Sequence, residues 1–335
     1  MSLVSIIIPI FNAGRFLSET LNSLEAQTVH DWECILVNDG STDDSINICQ
    51  EYSEKDKRFS LYSILNIGCA DIPIGFGMNI ADSEFCLFMG HDDCLEPCFL
   101  EKLLNRQKET DADIVGSLMH GCINELEGKL YQIPDVDFDL QRIMTGREAF
   151  VLCVGGWRMS ANGMLYRTAL NDGVIRGHYM NSDEFSSRQI IYKANTVAFC
   201  DALYIYRNHS DSISKKVSPR LWERMFIDQQ IEEFTLSHYP DSDQTCRKAV
   251  EARFFNFIHL TADAYLETLF MECKARKRIL KGLEFAYGEI DKEKLGQYLP
   301  KHKRLFMHGF GWLSFASVLY QLSRIVRRKR FYDYK

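Results

Sequence analysis

Strand-like and helix-like segments alternate along the first 120 residues of this 335-residue chain. Apolar runs rich in Val, Ile and Phe predict strands, and segments with apolar residues at helical spacing lie between them. The predicted strands are Val4–Pro9, Trp32–Asn38, Phe59–Ile64, Phe85–Met89 and Ile114–Leu118. The predicted helices are Ala13–Ala26, Thr42–Tyr52 and Glu96–Lys108. This alternation indicates an α/β fold with a doubly wound, mostly parallel sheet covered on both faces.

Polar residues follow three of the predicted strands. Asn12 follows the first, the segment Asn38–Asp43 ends the second, and the run His91-Asp92-Asp93 follows Phe85–Met89. Sheets of this kind bind ligands at the carboxyl ends of their strands. The topology alone therefore predicts a binding site at this edge.

Composition and cysteine usage limit the class of protein. Hydrophobic residues make up 46% and charged residues 25% of the chain, which excludes disordered and low-complexity proteins. Eleven cysteines without a Cys-x-x-Cys pair favour reduced thiols over a disulfide scaffold or a structural zinc site. No basic segment precedes the apolar run Leu3–Phe11, and Pro9 interrupts it, so we expect a strand there and not a signal peptide.

Charge is distributed unevenly along the chain. Residues 301–335 hold nine Lys and Arg and one acid, whereas the other 300 residues hold 30 bases and 45 acids, a net −15. This distribution argues against a nucleic-acid partner and predicts a local contact with an anionic surface. Apolar residues at helical spacing precede an Arg-rich end, so residues 305–330 predict an amphipathic helix on an anionic membrane. The apolar positions are Phe306, Phe310, Leu313, Leu319, Leu322 and Val326.

Three acidic segments can be interpreted chemically or structurally. Asp39 can accept a hydrogen bond from the imide N–H of uracil, but a turn and helix cap explain the segment equally well. The pair Asp92-Asp93 offers oxygen ligands suited to Mg²⁺ or Mn²⁺, or forms a solvated loop. The pair Asp183-Glu184 supplies a general base, or acids that cap a helix.

The order of these segments is more specific than any one of them. Together they resemble an inverting family 2 glycosyltransferase of GT-A fold, and the resemblance covers about residues 3–215. The matching segments are Ser5–Asn12, Val37–Asp43, Phe88–Asp93 with Pro97, Ser182–Phe185, Leu203–Arg207 and Ser212–Ser214.

The resemblance implies roles for the donor site. Pro9, Phe11 and Asn12 would line the nucleotide pocket, and Asp39 would read the base, commonly uracil. Asp92, helped by Asp93, would hold a divalent cation, Mn²⁺ or Mg²⁺. The same resemblance makes His209 a candidate contact of the metal or diphosphate, and Arg207 a candidate phosphate contact.

The resemblance also implies roles at the acceptor side. Asp183 would be the catalytic base, with Glu184 as the alternative if the alignment slips by one residue. Trp157 could stack on an acceptor sugar or pack in the core, and His178 is a weaker acceptor candidate.

Two positions depart from the family pattern. Gly90 stands where the metal loop usually has its first acid, and Ile74 stands where an Arg is usual. Asn79 or Arg207 could substitute for that Arg. These departures keep one alternative open, a non-catalytic sugar-nucleotide-binding or scaffold relative. A nucleotidyltransferase on a similar fold is a second alternative, although the glycine-rich first loop usual in that class is missing here.

We therefore expect a GT-A domain at residues 1–215, with a donor half to about 120 and an acceptor half beyond it. A helical region, 216–335, would follow and end in the basic amphipathic helix. The expected activity is transfer of one sugar from a UDP-sugar to a hydroxyl of a lipid-linked saccharide. Bacterial surface-polysaccharide synthesis, such as O-antigen or capsule, on the inner face of the cytoplasmic membrane would fit this reading.

Overall fold

A computed structural model describes residues 2–122, 130–132, 139–154, 159, 162–207, 209, 220–240, 244–267, 273–298 and 307–319. The chain forms two compact units, Met1–Ser212 and Ile213–Lys335.

The first unit is built on one sheet. Its described strands, in chain order, are β1 (Val4–Ile10), β2 (Trp32–Asp39), β3 (Phe59–Ile64), β4 (Phe85–Phe88), β5 (Cys94–Leu95), β6 (Ile114–Cys122), β7 (Leu130–Gln132), β8 (Leu165–Arg167) and β9 (Val197–Arg207). The order across the sheet is β3-β2-β1-β4-β8-β6-β9-β5, and β7 pairs with β6.

The sheet is parallel in its first half and mixed in its second. Strands β3, β2, β1 and β4 pair in parallel, as the alternating sequence predicts. Strand β8 lies antiparallel between β4 and β6, and β5 is antiparallel to β9. Strands β6 and β9 pair in parallel in the second half, so the sheet agrees with the predicted α/β fold, while β8 and β5 run antiparallel to their neighbours.

Helices cover both faces of the parallel strands. The helices of this unit are α1 (Leu17–Glu25), α2 (Ser45–Lys55), α3 (Asp71–Ile80), α4 (Phe99–Thr110), α5 (Gly146–Val154) and α6 (Ser182–Lys193). Ile6, Ile8 and Ile10 of β1 join the same buried cluster as residues of α1 and α4. Ile7, on the opposite face, lies against Gly77 of α3. Burial on both faces explains why β1 is a continuous apolar run.

Helix α3 was not predicted, because its sequence contains Pro73, Gly75 and Gly77. Pro73 lies in the first turn, where a missing N–H costs little. A Cβ at position 77 would stand 2.6 Å from Cγ2 of Ile7, so only glycine allows the helix to approach β1 this closely. Packing on the sheet outweighs the poor helix propensity of these residues.

The second unit is helical where it is described. Its helices are α7 (Arg224–His238), α8 (Gln244–Glu267), α9 (Cys273–Gly288), α10 (Lys292–Tyr298) and a final helix, α11, at 310–319. A short 3-10 helix, Leu221–Glu223, precedes α7. The core of this unit includes Phe254, Phe257 and Leu283. None of the helices in the described ranges is both long and apolar enough to cross a membrane.

The face of α11 differs from the predicted membrane face. Leu313 is fully buried in the core of the helical unit, and Phe310 packs against that core. The exposed large apolar side chains are Trp312, Phe315 and Leu319, at 50%, 58% and 51% exposure. The physical reason is that the helix already has a protein partner on the face that the spacing marks as apolar. Residues 305–306 and 320–330 of the predicted helix, including the Arg-rich end, lie outside the described residues.

Candidate active site

The loops after β1 and β2 are joined by Asn12. Its backbone adopts a left-handed conformation with φ 49°, and its Oδ1 accepts a hydrogen bond of 2.8 Å from the Thr42 N–H. Its own N–H donates to Oγ of Ser41 at 3.1 Å. The loop after β4 reaches the same edge, because Nδ1 of His91 lies 3.0 Å from the Pro9 carbonyl oxygen. The structure therefore brings together the three polar loops that the sequence placed at one edge. Pro9 and Phe11 are half-buried beside them.

Asp39 ends β2 as a nearly buried carboxylate, with 4% exposure. Oδ1 accepts the backbone N–H of Ile67 at 3.0 Å, whereas Oδ2 lies 3.5 Å from Nδ2 of Asn66. Burial raises the pKa of this carboxyl, and the backbone N–H groups of Ile67 and Gly68 oppose the shift. Gly40, which follows with φ 69°, makes the turn that brings Asn66 close. Oδ1 of Asp39 is thus held by the Ile67 N–H, and the contact of Oδ2 with Asn66 is long.

Asp92 and His209 form the centre of the metal-loop region. Oδ2 of Asp92 lies 2.8 Å from Nε2 of His209, and the His209 ring packs on Phe16 with centroids 4.7 Å apart. The two residues are 117 positions apart in the chain and meet because β9 ends beside this loop. Across the described ranges, no group of three or more His, Cys, Asp or Glu side chains is arranged to hold a metal ion.

Asp93 is almost fully buried, and both of its oxygens are engaged. Oδ2 accepts the hydroxyl of Tyr204 at 2.6 Å, and Oδ1 accepts the backbone N–H of Arg207 at 2.9 Å. The Tyr204 hydroxyl in turn accepts the N–H of Gly90 at 3.0 Å. Burial, followed by repulsion from Asp92, raises the pKa of Asp93 to about 7. Its contacts fix the loop to β9, so the two neighbouring acids occupy different environments.

Gly90 has no room for a side chain in this loop. A Cβ at position 90 would lie 2.6 Å from Oδ2 of Asp93 and 2.9 Å from Oδ1 of Asp92. The carboxylates of Asp92 and Asp93 therefore fill the space that a first acid in the loop would need. The packing of these two carboxylates explains why glycine replaces the usual acid of the family at position 90.

Arg207, the last residue of β9, holds the loop Gly90–Asp93 in place. Its Nε donates to the backbone oxygen of Asp92 at 2.9 Å, and Nη2 pairs with Glu19 at 2.6 Å. The guanidinium also lies over the ring of Phe16, 4.6 Å from its centroid. Arg207 thus stands in the predicted region, with its donors directed to protein groups.

Asp183 lies in the first turn of α6 and is half-buried. No side chain or backbone group of another described residue bonds its carboxylate. Burial, followed by the charges of Glu184 and Asp71, raises the pKa of Asp183 to about 7, and its own backbone N–H opposes the shift. An unpaired carboxylate with a pKa near neutrality has the properties of a general base.

Glu184 has a partner within the same helix. Its Oε2 lies 2.9 Å from Nη2 of Arg188, one turn further along. Arg188 is buried, and its Nη1 finds no acceptor within the described part of the chain. The predicted base and its alternative therefore differ: Glu184 is paired with Arg188, and the carboxylate of Asp183 has no hydrogen-bond partner among the other described residues.

Asp71 was missed by the sequence analysis and is the most completely buried acid near the site, with 0% exposure. It begins α3, and its carboxylate accepts three bonds. Nη1 of Arg176 donates at 2.9 Å, the backbone N–H of Gly177 at 2.8 Å, and Oγ of Ser186 at 2.7 Å. Ser186 lies on α6, one turn after Asp183. Asp71 therefore connects the start of α3 to the loop before α6 and to α6 itself.

Arg176 lies against the segment where the family Arg was expected. A Cβ at Gly75 would lie 3.1 Å from Cδ and 3.2 Å from Nε of Arg176. Ile74 itself is buried, and Asn79 is exposed. The guanidinium beside this helix thus comes from position 176, about 100 residues away in the chain, and neither Asn79 nor Arg207 occupies the place. Helix α3 was not predicted, and Arg176 lies 105 residues from Asp71 in the chain, so no sequence signal indicated this contact.

The predicted acceptor residues are only partly described. Trp157 lies outside the described residues. His178 is exposed on the loop before α6, and its ring packs against Tyr179 with centroids 4.4 Å apart.

The family model for "Glycosyl transferase family 2" matches residues 5–174, which include the loops after β1, β2 and β4. This chain belongs to glycosyl transferase family 2. It is a glycosyltransferase with a GT-A fold and a helical C-terminal region, and the nucleotidyltransferase alternative is set aside.

Among curated proteins, the chain is 26% identical over 235 residues to glycosyltransferase GlyG of Streptococcus pneumoniae, covering 68% of this chain and 77% of GlyG. Among solved structures, it resembles S. aureus TarS 1–349 in complex with UDP-GlcNAc, with a TM-score of 0.68, 18% identity, and coverage of 95% and 89%. It also resembles the mannosyltransferase PcManGT of Pyrobaculum calidifontis in complex with GDP-Man and Mn²⁺, with a TM-score of 0.51, 10% identity, and coverage of 95% and 87%.

Proposed function

We propose that this glycosyltransferase moves one sugar from a nucleoside diphosphate sugar to an acceptor hydroxyl with inversion at the anomeric carbon. The observation that carries the proposal is Asp183, an unpaired, half-buried carboxylate at the start of α6 with a pKa near 7. A carboxyl of this pKa is about half ionised at pH 7, and its ionised form accepts a proton from a hydroxyl that is forming a bond.

The proposed step is a single displacement. The acceptor oxygen attacks the anomeric carbon from the face opposite the diphosphate, and a new carbon–oxygen bond forms. The bond between the anomeric carbon and the phosphate oxygen breaks, and its electrons leave with the nucleoside diphosphate. The hydroxyl proton passes to a carboxylate oxygen of Asp183. Attack from the opposite face inverts the configuration.

We assign the base to Asp183 and not to Glu184, because Glu184 is already paired with Arg188. Asp183→Asn should lower turnover by roughly 10²- to 10⁴-fold, the usual contribution of general base catalysis. Glu184→Gln, a matched change at the next residue, should leave most of the turnover. Binding of UDP should be retained in both variants. Turnover is measured as the release of UDP from a UDP-sugar that the wild type accepts as donor. Full turnover in Asp183→Asn would refute the assignment.

For the donor, we propose a UDP-sugar bound at the edge formed by Pro9, Phe11 and Asn12. Oδ2 of Asp39 would accept the imide N–H of uracil, since Oδ1 is held by Ile67. Asp39→Asn should weaken UDP binding by at least about 10-fold, which is typical of a lost charged hydrogen bond. GDP binding measured in parallel is the control, because a general loss of the site would weaken both nucleotides equally.

For the cation, we propose that Asp92 and His209 hold Mn²⁺ or Mg²⁺ with the donor diphosphate. One carboxylate and one imidazole are a fitting donor set for Mn²⁺, and such ions commonly take their remaining ligands from substrate phosphates and water. The bound ion would neutralise charge on the leaving diphosphate. Asp93 and Arg207 would support the loop, in keeping with their protein contacts.

Calorimetry tests the donor and cation assignments together. UDP and GDP are titrated with and without Mn²⁺ into the wild type, Asp92→Ala and His209→Ala. We expect UDP binding that depends on Mn²⁺ and that weakens by roughly 10- to 100-fold in each variant. Binding of UDP that is equal with and without the metal would refute the cation site.

For the acceptor, we propose a saccharide that is lipid-linked, with the enzyme on the inner face of the cytoplasmic membrane. Trp157 and His178 stay candidate acceptor contacts. The support for membrane contact is the exposed stripe Trp312, Phe315 and Leu319 on α11, and the Arg-rich sequence that follows it. A role in the synthesis of bacterial surface polysaccharide would require both a lipid-linked saccharide acceptor and contact with the membrane.

Vesicle binding tests the membrane contact. The triple variant Trp312→Ser/Phe315→Ser/Leu319→Ser should lose most of its sedimentation with phosphatidylglycerol vesicles, since each side chain contributes roughly 1.5–3 kcal/mol when buried. Ile80→Ser/Ile143→Ser removes exposed apolar side chains from the first unit and should bind like the wild type. Equal binding by the triple variant and the wild type would exclude the stripe.

A further inference from the structure

The helical unit contains a groove of about 470 Å³ that no part of the proposed mechanism uses. One wall consists of Arg220, Trp222 and Glu223, from the 3-10 helix before α7. The other wall belongs to α9 and is formed by Arg278, Lys281, Gly282 and Phe285. We call it the α9 groove.

The α9 groove is positively charged on an acidic protein. Arg220 is paired with Glu223 at 2.7 Å, whereas Arg278 and Lys281 are exposed and have no acidic partner within the described residues. Three basic side chains against one acid give the lining a net charge of +2. Residues 274–281 of α9 hold five Lys and Arg and no acid, although residues 1–300 carry a net −15. Two unpaired cations that face one groove favour an anionic ligand.

Aromatic surface lies next to these cations. Trp222 packs directly on the backbone of α9, since a Cβ at Gly282 would lie 2.5 Å from Cγ and Cδ1 of its indole ring. Glycine at 282 is therefore required for the indole to form the wall of the groove. Phe285 is 57% exposed one turn beyond Lys281. Aromatic rings of this kind offer flat apolar faces to a ligand that also has polar groups.

We propose that the α9 groove binds a phosphate-bearing saccharide, with the phosphate on Arg278 and Lys281 and the adjoining sugar ring against Trp222 and Phe285. As the binding site for part of the acceptor, this role rests on the proposed transferase function. The binding itself does not, because all the lining residues lie in the helical unit. The acceptor would then carry phosphate close to a sugar, as a phosphate-containing polymer or a sugar linked through a diphosphate does.

The first test measures binding of glucose 6-phosphate to the full-length protein. The chain has four tryptophans, and the variant Trp222→Phe identifies the Trp222 indole resonance in an NMR spectrum. Glucose 6-phosphate should shift this resonance in a saturable manner. Inorganic phosphate should bind more weakly, and glucose should produce no shift at the same concentration.

Two matched double variants separate a specific site from a diffuse positive charge. Arg278→Ala/Lys281→Ala should raise the Kd for glucose 6-phosphate by at least about 10-fold, the usual effect of losing charged hydrogen bonds. Lys274→Ala/Lys277→Ala removes the same charge from exposed positions of the same helix outside the groove, and should change the Kd by less than about 2-fold because exposed charges are screened. Phe285→Ala should weaken binding of glucose 6-phosphate but not of inorganic phosphate. Equal losses in the two double variants, or no shift of the Trp222 resonance, would overturn the proposal.

Two further measurements identify the source of the ligand. Binding to a soluble ribitol phosphate oligomer or to a solubilised diphosphate-linked sugar distinguishes the two kinds of acceptor. Loss of phosphatidylglycerol vesicle binding in Arg278→Ala/Lys281→Ala, with no response to glucose 6-phosphate, would show a membrane contact and overturn the saccharide site. UDP binding with Mn²⁺ on the same samples should be unchanged in both double variants. A wild type that fails to bind UDP would refute the proposed donor site while the α9 groove is judged separately.

Discussion

Replacement of Asp71 by Asn tests whether the buried acid at the start of α3 holds α6 in place. In the wild type the carboxylate accepts bonds from Arg176, Gly177 and Ser186 at 2.9, 2.8 and 2.7 Å. An asparagine keeps one acceptor oxygen for Arg176. Its NH₂ group must then face the donors that Oδ2 accepted. The Ser186 hydroxyl can turn to the Ile175 carbonyl oxygen, 3.3 Å away, but the N–H of Gly177 loses its partner.

The expected cost follows from these contacts. A lost bond to a charged acceptor is worth roughly 1.5–3 kcal/mol, and Arg176 also loses its counter-charge. Breaking a buried ion pair costs roughly 3–5 kcal/mol, and Arg176 is still bonded to Asn171, so we expect about 3 kcal/mol. The free energy of unfolding is measured by urea denaturation. The control is Asp111→Asn, which breaks a pair of 2.7 Å to Arg167 at an 88% exposed side chain and should cost at most about 1 kcal/mol.

The same variant reports on catalysis. Asp71 is one of the charges that raise the pKa of Asp183, so its removal should move the acid limb of the kcat/KM profile to lower pH. A displaced α6 should also lower kcat more than it changes the KM for the donor. Equal unfolding free energies for Asp71→Asn and Asp111→Asn, together with an unmoved acid limb, would refute the reasoning.

Three other variants give direct checks. Log kcat/KM of the wild type should fall with a slope of one below about pH 7, because a single base must be ionised. The free energy of unfolding should be higher for Asp183→Asn than for the wild type at pH 8, and the two values should converge near pH 4. The reason is that a raised carboxyl pKa makes the fold lose stability as pH rises through about 7. Gly90→Ala should cost roughly 1–3 kcal/mol in urea denaturation and abolish Mn²⁺-dependent UDP binding, because its Cβ meets Asp93 at 2.6 Å, whereas Gly288→Ala, with no atom near, should cost nothing. Tyr204→Phe should cost roughly 1.5–3 kcal/mol by leaving Asp93 and the Gly90 N–H short of a partner, and Tyr52→Phe, at a part-exposed hydroxyl bonded to Asn22, should cost clearly less.

The donor half of the fold could be predicted because its signals are local. Strands β1 to β4 are apolar runs, and polar loops follow them within a few residues, so periodicity places both the sheet and the edge where Asn12, Asp39 and Asp92 meet. Helix α3 escaped prediction, because Pro73 and two glycines argue against a helix until Ile7 is known to lie against Gly77. The short strands β8 and β5 gave no signal of their direction.

The site residues also divide into those with a local sequence signal and those that depend on long-range contacts. The resemblance named Asp183 as the base and kept Glu184 as the alternative, and the pairing of Glu184 with Arg188 is a difference that only the structure provides. Asp71 was missed because its partner, Arg176, lies 105 residues away in the chain. The spacing on α11 grouped Leu313 with Leu319, but Leu313 turns to the protein core while Leu319 is 51% exposed.

The dependence of the metal loop on β9 has a consequence for how the protein folds. Asp93 meets Tyr204 and Arg207 across 111 and 114 residues, and Asp92 meets His209 across 117. Contacts of such separation form slowly, because a long loop of chain must close before they stabilise anything. Strands β1 to β4 can assemble earlier from nearer neighbours. During refolding, recovery of the nucleotide site should therefore lag behind the far-ultraviolet signal of the helices, and on the ribosome the site can form only after residue 209 has emerged.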